Sequence, residues 1–443
     1  MLLVAMLAAA CGGGGGGSGS GGSSGGGASP GGGANGSGGG ADAKPFAGKK
    51  ITFYTANHPW AETIKELLPE FEDSTGMKVE IQGFAEDQLS QKLSVQLTSQ
   101  SSDPDVFMTR PLQEARMYHR NGWYEMLNDY VERDKAEIDF DDFSSSAVDT
   151  TTVDGRIVAI PIISEQEVLY YRKDLLEKAG LEVPKTLDEL EEAIKSLHDP
   201  DNGVYGFVAR GQAQVLVTQV SSFVFSEGGD FMDGDKATVN TPEAIRGFSR
   251  YGGWLREYGP PGVLNFSWPQ AMGVFAQGKA AFYTDASAIY KNAIDPDKST
   301  VGEHVGYAMF PAGSAGQKPY SVTSWALAIN SKSANKDAAW AFIKWATSKE
   351  VMLKTQQGGN PGVRHSVWDD PQGVTGFPEQ LVEVIRESSK IGVGHDRPLV
   401  INVGQARDII GSIVVQAMLG EDVQAAADKA NAEFQALIDM EKQ

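Results

Sequence analysis

The sequence predicts an α/β protein of two lobes, and three observations lead to this prediction. Residues 51–109 alternate between short runs rich in β-branched and aromatic residues and longer segments with a helical apolar stripe. Such alternation is typical of a parallel sheet with helices on both faces. About 400 residues follow an N-terminal Gly/Ser tract, which is more than one compact core accommodates. The only cysteine, Cys11, precedes that tract, so the folded part has neither disulfides nor cysteine-ligated metals.

The elements of the first lobe follow from their residue patterns. Residues 51–56 form a predicted buried strand, and residues 61–73 form a helix with a stripe of apolar residues at helical spacing. Gly76 ends this helix, because glycine readily adopts the left-handed conformation beyond a last helical turn. The alternation continues with a strand at 78–82, a helix at 86–98 and a strand at 105–109. Ligands of such sheets bind beyond the carboxyl ends of the strands.

The rest of the chain shows the same two periodicities. Thr186 and Glu189 form a capping box that predicts the start of a helix over 187–198. The last 65 or so residues read as largely helical. The other predicted elements are strands at 205–209, 280–284 and 324–329 and helices at 174–179, 242–258, 268–276 and 336–348.

The N-terminal segment has the features of an export signal. Cys11 follows an apolar run of about ten residues, which is too short to span a bilayer, and small residues before a processing site are typical of secretory signals. The segment resembles the lipobox of bacterial lipoproteins. This implies a signal over residues 1–11, acylation of Cys11, and a chain held at the outer face of the cell membrane. Residues 12–48 then form a flexible linker, whose Gly/Ser tract spans on the order of 30 Å.

Charge and motif spacing exclude several classes of function. The formal net charge is −20, whereas a nucleic-acid-binding protein carries a basic patch. The segment 273–280 comes within one residue of a phosphate-binding loop, but it lacks the final Ser/Thr and predicts helix–turn–strand rather than strand–loop–helix. Residues 199–203 predict a turn rather than a calcium loop. The six histidines have no metal-ligand spacing, so we expect neither a metal nor another cofactor.

The order of several motifs resembles one known family. These are VLYYRKDLL at 168–176, FAQGKAAF at 275–282, and ALAI at 326–329 followed by AAWAFIKW at 338–345. Together they are similar to the extracellular solute-binding proteins of ABC importers, in the sugar-binding group. The resemblance implies a type II periplasmic-binding-protein fold, with a hinge between two lobes and a ligand in the cleft. It divides the chain into a first lobe of 49–160 plus 323–370 and a second lobe of 161–322 plus 371–443.

The same resemblance implies a function. The protein is expected to be a monomer without enzymatic activity, which captures a mono- or disaccharide or a polyol and delivers it to the permease subunits of an ABC transporter. Motifs such as PPGV at 260–263 and RHSVW at 364–368 are similar to polyol and disaccharide binders of the family.

Sugars require two kinds of side chain, and the candidate site residues follow from both. Charged groups form strong bidentate hydrogen bonds with hydroxyls, and tryptophan rings pack on apolar C–H faces. The resemblance places an acidic, sugar-contacting residue at Glu165, where the chain crosses between lobes. The other candidates lie mostly at predicted strand ends, helix starts and the returning crossover: Asn57, His58, Trp60, Glu86, Asp87, Arg110, Arg210, Trp268, Asp285, Trp325, Asn360 and Arg364.

Two alternatives remain open on the sequence. An exported glycoside-active enzyme would need two carboxylates at one of two fixed separations, and nothing in the sequence pairs Glu165 with Glu86 or Asp285. A binder of another small anionic solute would be favoured if Arg110, Arg210 and Arg364 converged on the cleft. A carboxylate partner for each arginine would instead favour a neutral sugar.

Overall fold

The computed structural model describes residues 44–442, apart from the side chain of Asp87. Cys11, the predicted signal and most of the predicted linker lie outside the described residues. Among the helices formed by residues 44–442, none is long and apolar enough to cross a bilayer.

The described chain contains strands throughout its first three-quarters. Their bounds are β1 (Lys50–Ala56), β2 (Lys78–Phe84), β3 (Val106–Thr109), β4 (Thr152–Val153), β5 (Arg156–Ile157), β6 (Ile160–Arg172), β7 (Tyr205–Val208), β8 (Met232–Asp233), β9 (Lys236–Ala237), β10 (Ala280–Ala286), β11 (Val305–Met309) and β12 (Ser321–Ile329).

Helices surround these strands and make up the C-terminal part. Their bounds are α1 (Pro59–Thr75), α2 (Glu86–Thr98), α3 (Pro111–Arg120), α4 (Asn128–Arg133), α5 (Lys135–Ile138), α6 (Ser145–Thr150), α7 (Lys173–Ala179), α8 (Leu187–Leu197), α9 (Ala213–Ser226), α10 (Pro242–Tyr258), α11 (Trp268–Ala276), α12 (Lys291–Ile294), α13 (Lys336–Ala346), α14 (Lys349–Gln357), α15 (His365–Trp368), α16 (Glu379–Ile391), α17 (Val403–Leu419) and α18 (Val423–Glu441). Short 3-10 helices lie at Phe140–Asp142, Pro200–Asn202, Val263–Asn265, Ser287–Ile289 and Gly302–His304.

The main sheet has the strand order β2-β1-β3-β12-β6-β10-β7, with β11 also paired to β6. Strands β1, β2 and β3 are parallel to one another, as the β-α-β-α-β pattern predicts. Strands β10 and β7 are likewise parallel, whereas β12 and β6 run antiparallel to each other and to their outer neighbours. The long strand β6 thus joins two sheet halves.

The chain passes between these halves near Glu165. On its N-terminal side β6 pairs with β12, up to the pair of Gln166 and Ser321. From Glu167 onward β6 pairs with β10, beginning with Ala286. Glu165 therefore lies next to the point where β6 changes neighbours.

The buried apolar residues form separate cores on the two sides of this crossing. One core draws on residues 51–163 and 325–367. Two others draw on residues 168–310 and 368–438. We call the elements around the former the first lobe and those around the latter the second lobe. The two-lobed α/β fold is therefore confirmed, while the residue boundaries given above stay a prediction.

Local signals in the sequence account for several element ends. Gly76 follows α1 with a φ of 72°, in the left-handed region, and its N–H donates to the carbonyl of Glu72. Thr186 and Glu189 form the predicted reciprocal capping box at the start of α8. The segment 273–280 runs from α11 through Gly278, with a φ of 76°, into β10. A phosphate-binding loop requires the opposite order, in which a glycine-rich loop leads into the N-terminus of a helix. The segment 273–280 therefore does not form such a loop.

Candidate ligand-binding site

A polar cavity of about 270 Å³ lies between the two lobes, next to the crossing strands. Six of the sequence-predicted residues line it, namely Glu86, Arg110, Glu165, Arg210, Trp268 and Trp325. The remaining lining residues are Leu112, Gln113, Val215, Thr218, Ala286, Ile289, Val322, Thr323, Ser324, Asp396, Arg397 and Arg407. Seven of these eighteen residues are charged, and tryptophans supply the only aromatic rings in this lining.

Arg210 and Asp285 form a buried ion pair on the second-lobe side. Arg210 Nε and Nη2 donate to Asp285 Oδ2 and Oδ1 at 2.9 and 2.5 Å. Asp285 is fully buried and also accepts from Tyr283 Oη at 2.6 Å and Gln219 Nε2 at 3.1 Å. Burial lowers the pKa of Arg210, but Asp285 more than offsets this, so the pKa lies above its ordinary value. Asp285 thus holds the guanidinium in one orientation at the cavity wall, and does not itself line the cavity.

Glu165 projects from the crossing strand β6 and lines the cavity. Burial raises its pKa to about 7; Arg210 opposes this increase, whereas Asp396 and Asp285 add to it. Near neutral pH both the protonated and the ionised carboxyl group are therefore populated. The protonated form can donate a hydrogen bond to a hydroxyl, and both forms can accept one.

Arg110 and Trp325 form the first-lobe wall. Arg110 Nη2 donates to Ser90 Oγ at 2.7 Å and forms an ion pair with Glu114 Oε1 at 3.3 Å. Arg110 Nη1 lies 3.8 Å from Glu86 Oε2. The guanidinium lies over the ring of Trp325, 5.9 Å from its centroid, as a cation–π contact. Arg110 follows β3 and Trp325 lies on β12, which pairs with β3.

A second guanidinium–carboxylate pair, Asp396 with Arg397, is absent from the sequence-based candidates. Arg397 Nε and Nη2 donate to Asp396 Oδ1 and Oδ2 at 2.5 and 2.6 Å. Arg397 Nη1 also reaches Gln113 Oε1 on α3 at 3.3 Å, a contact between lobes. Burial raises the pKa of Asp396, but Arg397 outweighs it and the pKa falls to about 2. The adjacent Asp-Arg, in the loop before α17, is the one sequence signal that could have indicated this pair.

Arg407, on α17, is the other arginine that the sequence reasoning missed. Its Nε donates to the carbonyl of Gln214 at 2.7 Å, and its Nη2 donates to Thr218 Oγ1 at 3.2 Å. The residue is 9% exposed. Burial, reinforced by Arg397, holds its pKa well below the ordinary arginine value. As one arginine on a long apolar helix, it offers no sequence signal for a site.

Trp268 lies at the edge of the cavity, at the start of α11. It is 39% exposed, in contrast to Trp325 at 6%. A large exposed ring beside a polar cavity offers an apolar surface to the C–H groups of a bound solute.

Three predicted site residues contact other parts of the protein and not the cavity. Trp60 is fully buried and packs edge-on against Phe53 in the first-lobe core. Asn360 donates to the carbonyl of Thr355 at 3.1 Å. Arg364 is 2% exposed and donates to Asp142 Oδ2 at 3.0 Å and to the carbonyl of Thr347 at 2.9 Å. None of the three lines the cavity, so Arg364 does not converge with Arg110 and Arg210.

The remaining predicted residues follow β1 or begin α2. His58 caps α1, where its Nδ1 accepts from the N–H of Trp60 at 3.1 Å, and burial lowers its pKa to about 4. Its ring lies 6.3 Å from that of Trp325, behind the cavity wall. Asn57 is exposed and does not line the cavity. The side chain of Asp87 lies outside the described structure.

The arrangement suits a small solute rich in hydroxyl groups. Planar guanidinium–carboxylate pairs present donors and acceptors in fixed positions, which favours bidentate contacts. Each pair is held by further contacts, so little side-chain freedom is lost on binding. The absence of broad aromatic walls in this lining leaves hydrogen bonding as the main source of specificity.

Comparisons with known proteins agree with this geometry. A family model described as bacterial extracellular solute-binding protein matches residues 55–353. The mannitol-binding protein of Pseudomonas aeruginosa is 30% identical over 335 residues, which is 72% of this chain and 75% of that protein. The erythritol/L-threitol-binding protein of Mycolicibacterium smegmatis is 28% identical, over 74% of this chain and 73% of that protein.

A solved structure shares the fold over most of the chain. It is an ABC transporter solute-binding protein of Agrobacterium radiobacter in complex with ribitol. The TM-score is 0.77 and the sequence identity 31%, and the match covers 89% of this chain and all of that one (100%).

Proposed function

Since this chain belongs to the bacterial extracellular solute-binding proteins, we propose that it binds a carbohydrate, most specifically an acyclic polyol or monosaccharide, in the cavity between its lobes. It then delivers this solute to the permease of an ABC importer. The family is extracytoplasmic, which is where such a solute is captured.

One observation carries the choice of a hydroxyl-rich solute. The cavity is lined by guanidinium groups held in place by carboxylates, in the pairs Arg210–Asp285 and Arg397–Asp396. Vicinal hydroxyls both donate and accept, so they match such pairs, whereas an apolar solute would displace water from the pairs without replacing its hydrogen bonds.

The volume of the cavity supports a small solute. At about 270 Å³ it falls just below the roughly 300–1,000 Å³ typical of pockets for drug-sized ligands. An acyclic polyol or one sugar ring is of suitable size, and a second ring would extend toward Trp268 at the edge.

The relatives support the polyol in particular. The two curated relatives described above are named for mannitol and for erythritol and L-threitol, and the similar solved structure contains ribitol. All four are linear chains of hydroxyl-bearing carbons, and such chains can place several hydroxyls against the arginines that line this cavity. The same relatives are named as binding proteins, so we propose that the chain performs no chemical step.

Delivery follows from lobe closure. A solute that contacts both lobes favours the closed conformation by its differential affinity, and a closed form gives a permease a distinct surface to recognise. We further propose that Cys11 is acylated and tethers the protein to the cell membrane. Mass spectrometry of protein from a bacterial membrane fraction tests the anchor, because Cys11→Ser removes the acyl mass and releases the protein.

Isothermal titration of the purified chain with erythritol, ribitol and mannitol, with maltose and glucose for comparison, tests the binding function. We expect saturable one-to-one binding of at least one polyol. Arg210→Gln should weaken it at least tenfold, because a charged hydrogen bond is lost.

Arg133→Gln is the matched control for this substitution. Arg133 is a half-exposed arginine that also pairs with aspartates, at 3.1 and 3.2 Å, but it lies on α4 outside the cavity lining. The Arg133→Gln variant should bind the polyol with the affinity of the unmodified chain. Absence of heat with every carbohydrate would refute the proposed function, and hydrolysis of aryl glycosides would refute the non-enzymatic assignment.

A further inference from the structure

One cavity arginine differs from the others in its partners. Arg110, Arg210 and Arg397 each form an ion pair with a buried carboxylate, at 3.3 Å or less. Arg407 contacts carbonyl and hydroxyl oxygens, and within residues 44–442 no ion pair joins it to a carboxylate. It is nevertheless more than nine-tenths buried.

The geometry of Arg407 leaves one nitrogen for a ligand. Nε and Nη2 are occupied by the carbonyls of Gln214 and Val215 and by Thr218 Oγ1. Nη1 has no acceptor among the described residues, and the side chain lines the cavity. This donor is therefore available to a solute in the cavity.

The surrounding charges make an uncompensated guanidinium costly. Arg397 and Arg210 lie close enough to disfavour its positive charge, and only Asp396, already held by Arg397 through two hydrogen bonds, opposes them strongly. A buried charge without a partner carries a large desolvation penalty. A negatively charged group on the solute would remove this penalty.

We propose that the preferred solute is an acyclic sugar acid, an aldonate, whose carboxylate accepts hydrogen bonds from Arg407 while its hydroxyl chain contacts the paired arginines. This inference rests on the proposed function, because an aldonate keeps the hydroxyl chain of the polyol and differs from it in carrying a carboxylate at one terminal carbon. Because burial raises the pKa of Glu165 to about 7, this carboxyl group is only partly ionised near neutral pH and repels a solute carboxylate less than an ordinary glutamate would. Arg407 would thereby distinguish a solute with a terminal carboxylate from one with a terminal hydroxymethyl group.

Titration calorimetry on the unmodified full chain tests the proposal with matched ligands. The pairs are D-mannonate with D-mannitol and D-ribonate with ribitol, and D-mannonamide serves as the neutral counterpart of mannonate. We expect at least one aldonate to bind tenfold or more tighter than its alditol, because a charged hydrogen bond replaces a neutral one. The amide should behave like the alditol.

The outcomes separate this proposal from the broader one. Alditols that bind as tightly as or tighter than their aldonates would overturn the sugar-acid inference and leave the polyol function standing. No binding by either class would overturn both.

Substitution of Arg407 tests its role directly. Arg407→Gln should weaken aldonate binding about 10- to 100-fold and alditol binding less than threefold. Equal losses for both classes would overturn the role of Arg407 in selection, as would an unchanged preference for the aldonate. Arg133→Gln controls for the loss of one arginine. Should Arg407→Gln fail to fold, the comparison of ligands on the unmodified chain still decides.

Discussion

The buried pair of Arg210 and Asp285 gives the sharpest test of how this cavity is held together. We consider Asp285→Asn, which keeps the size of the side chain and removes its charge. Asp285 is fully buried and accepts from Arg210 twice, at 2.9 and 2.5 Å, as well as from Tyr283 and Gln219. The substitution therefore leaves the guanidinium of Arg210, whose side chain is 14% exposed, without its counter-charge.

The expected cost follows from this burial. Removing one partner of a buried ion pair lowers the free energy of unfolding by about 3–5 kcal/mol. Solute affinity should also fall at least tenfold, because Arg210 loses the contacts that orient it at the cavity wall. Urea denaturation monitored by tryptophan fluorescence measures the first effect, and titration calorimetry with the tightest-binding solute measures the second.

A matched control separates burial from the loss of charge. Asp337 pairs with Arg133 at 3.2 Å, but its side chain is 74% exposed. Asp337→Asn should therefore change the free energy of unfolding by no more than about 1 kcal/mol. The double variant Arg210→Gln/Asp285→Asn should lose less stability than the two single variants added together. Equal midpoints for Asp285→Asn and Asp337→Asn would refute the account of a supporting ion pair.

Three further predictions concern single residues. Because burial raises the pKa of Glu165 from 4.5 to about 7, the folded state binds more protons than the unfolded state. The unmodified chain should lose stability relative to Glu165→Gln as pH rises from about 4.5 through 7, measured by thermal unfolding; parallel pH profiles would contradict this. Trp268→Ala, at the exposed edge, should weaken polyol binding several-fold in calorimetry while changing unfolding stability within about 0.5 kcal/mol; a large loss of stability would place Trp268 in the core. Arg364→Ala, which breaks a buried pair with Asp142, should lower the free energy of unfolding by about 3 kcal/mol and change affinity less than twofold; a tenfold loss of affinity would return Arg364 to the site.

Much of the fold could be predicted because it depends on local signals. The parallel order of β1, β2 and β3 follows from alternating periodicities, and the end of α1 follows from the left-handed conformation of Gly76. The crossing of β6 between the two sheet halves near Glu165 was implied by family resemblance and not by any local pattern.

The lining of the candidate cavity could be predicted where a side chain follows a strand. Arg110 and Arg210 follow β3 and β7, and the carboxyl ends of strands point to the ligand edge of such a sheet. Asp396, Arg397 and Arg407 come from a loop and a helix near the C-terminus, and their approach depends on how the second lobe packs. No periodicity in the sequence encodes that approach.

Arg364 illustrates the opposite error. In sequence it is an arginine in a loop, as Arg397 is, and both carry the same chemistry. Its partner Asp142 lies 222 residues earlier, so only the folded chain distinguishes an arginine that holds two segments together from one that faces a cavity.

Crystal structures of the chain grown with mannitol, with ribitol or with one of their aldonates would locate the bound solute. We expect electron density for one acyclic solute between the lobes, with oxygens at about 2.7–3.2 Å from guanidinium nitrogens of Arg210 and Arg397. Density for the solute elsewhere on the protein, with water alone between these arginines, would contradict this expectation.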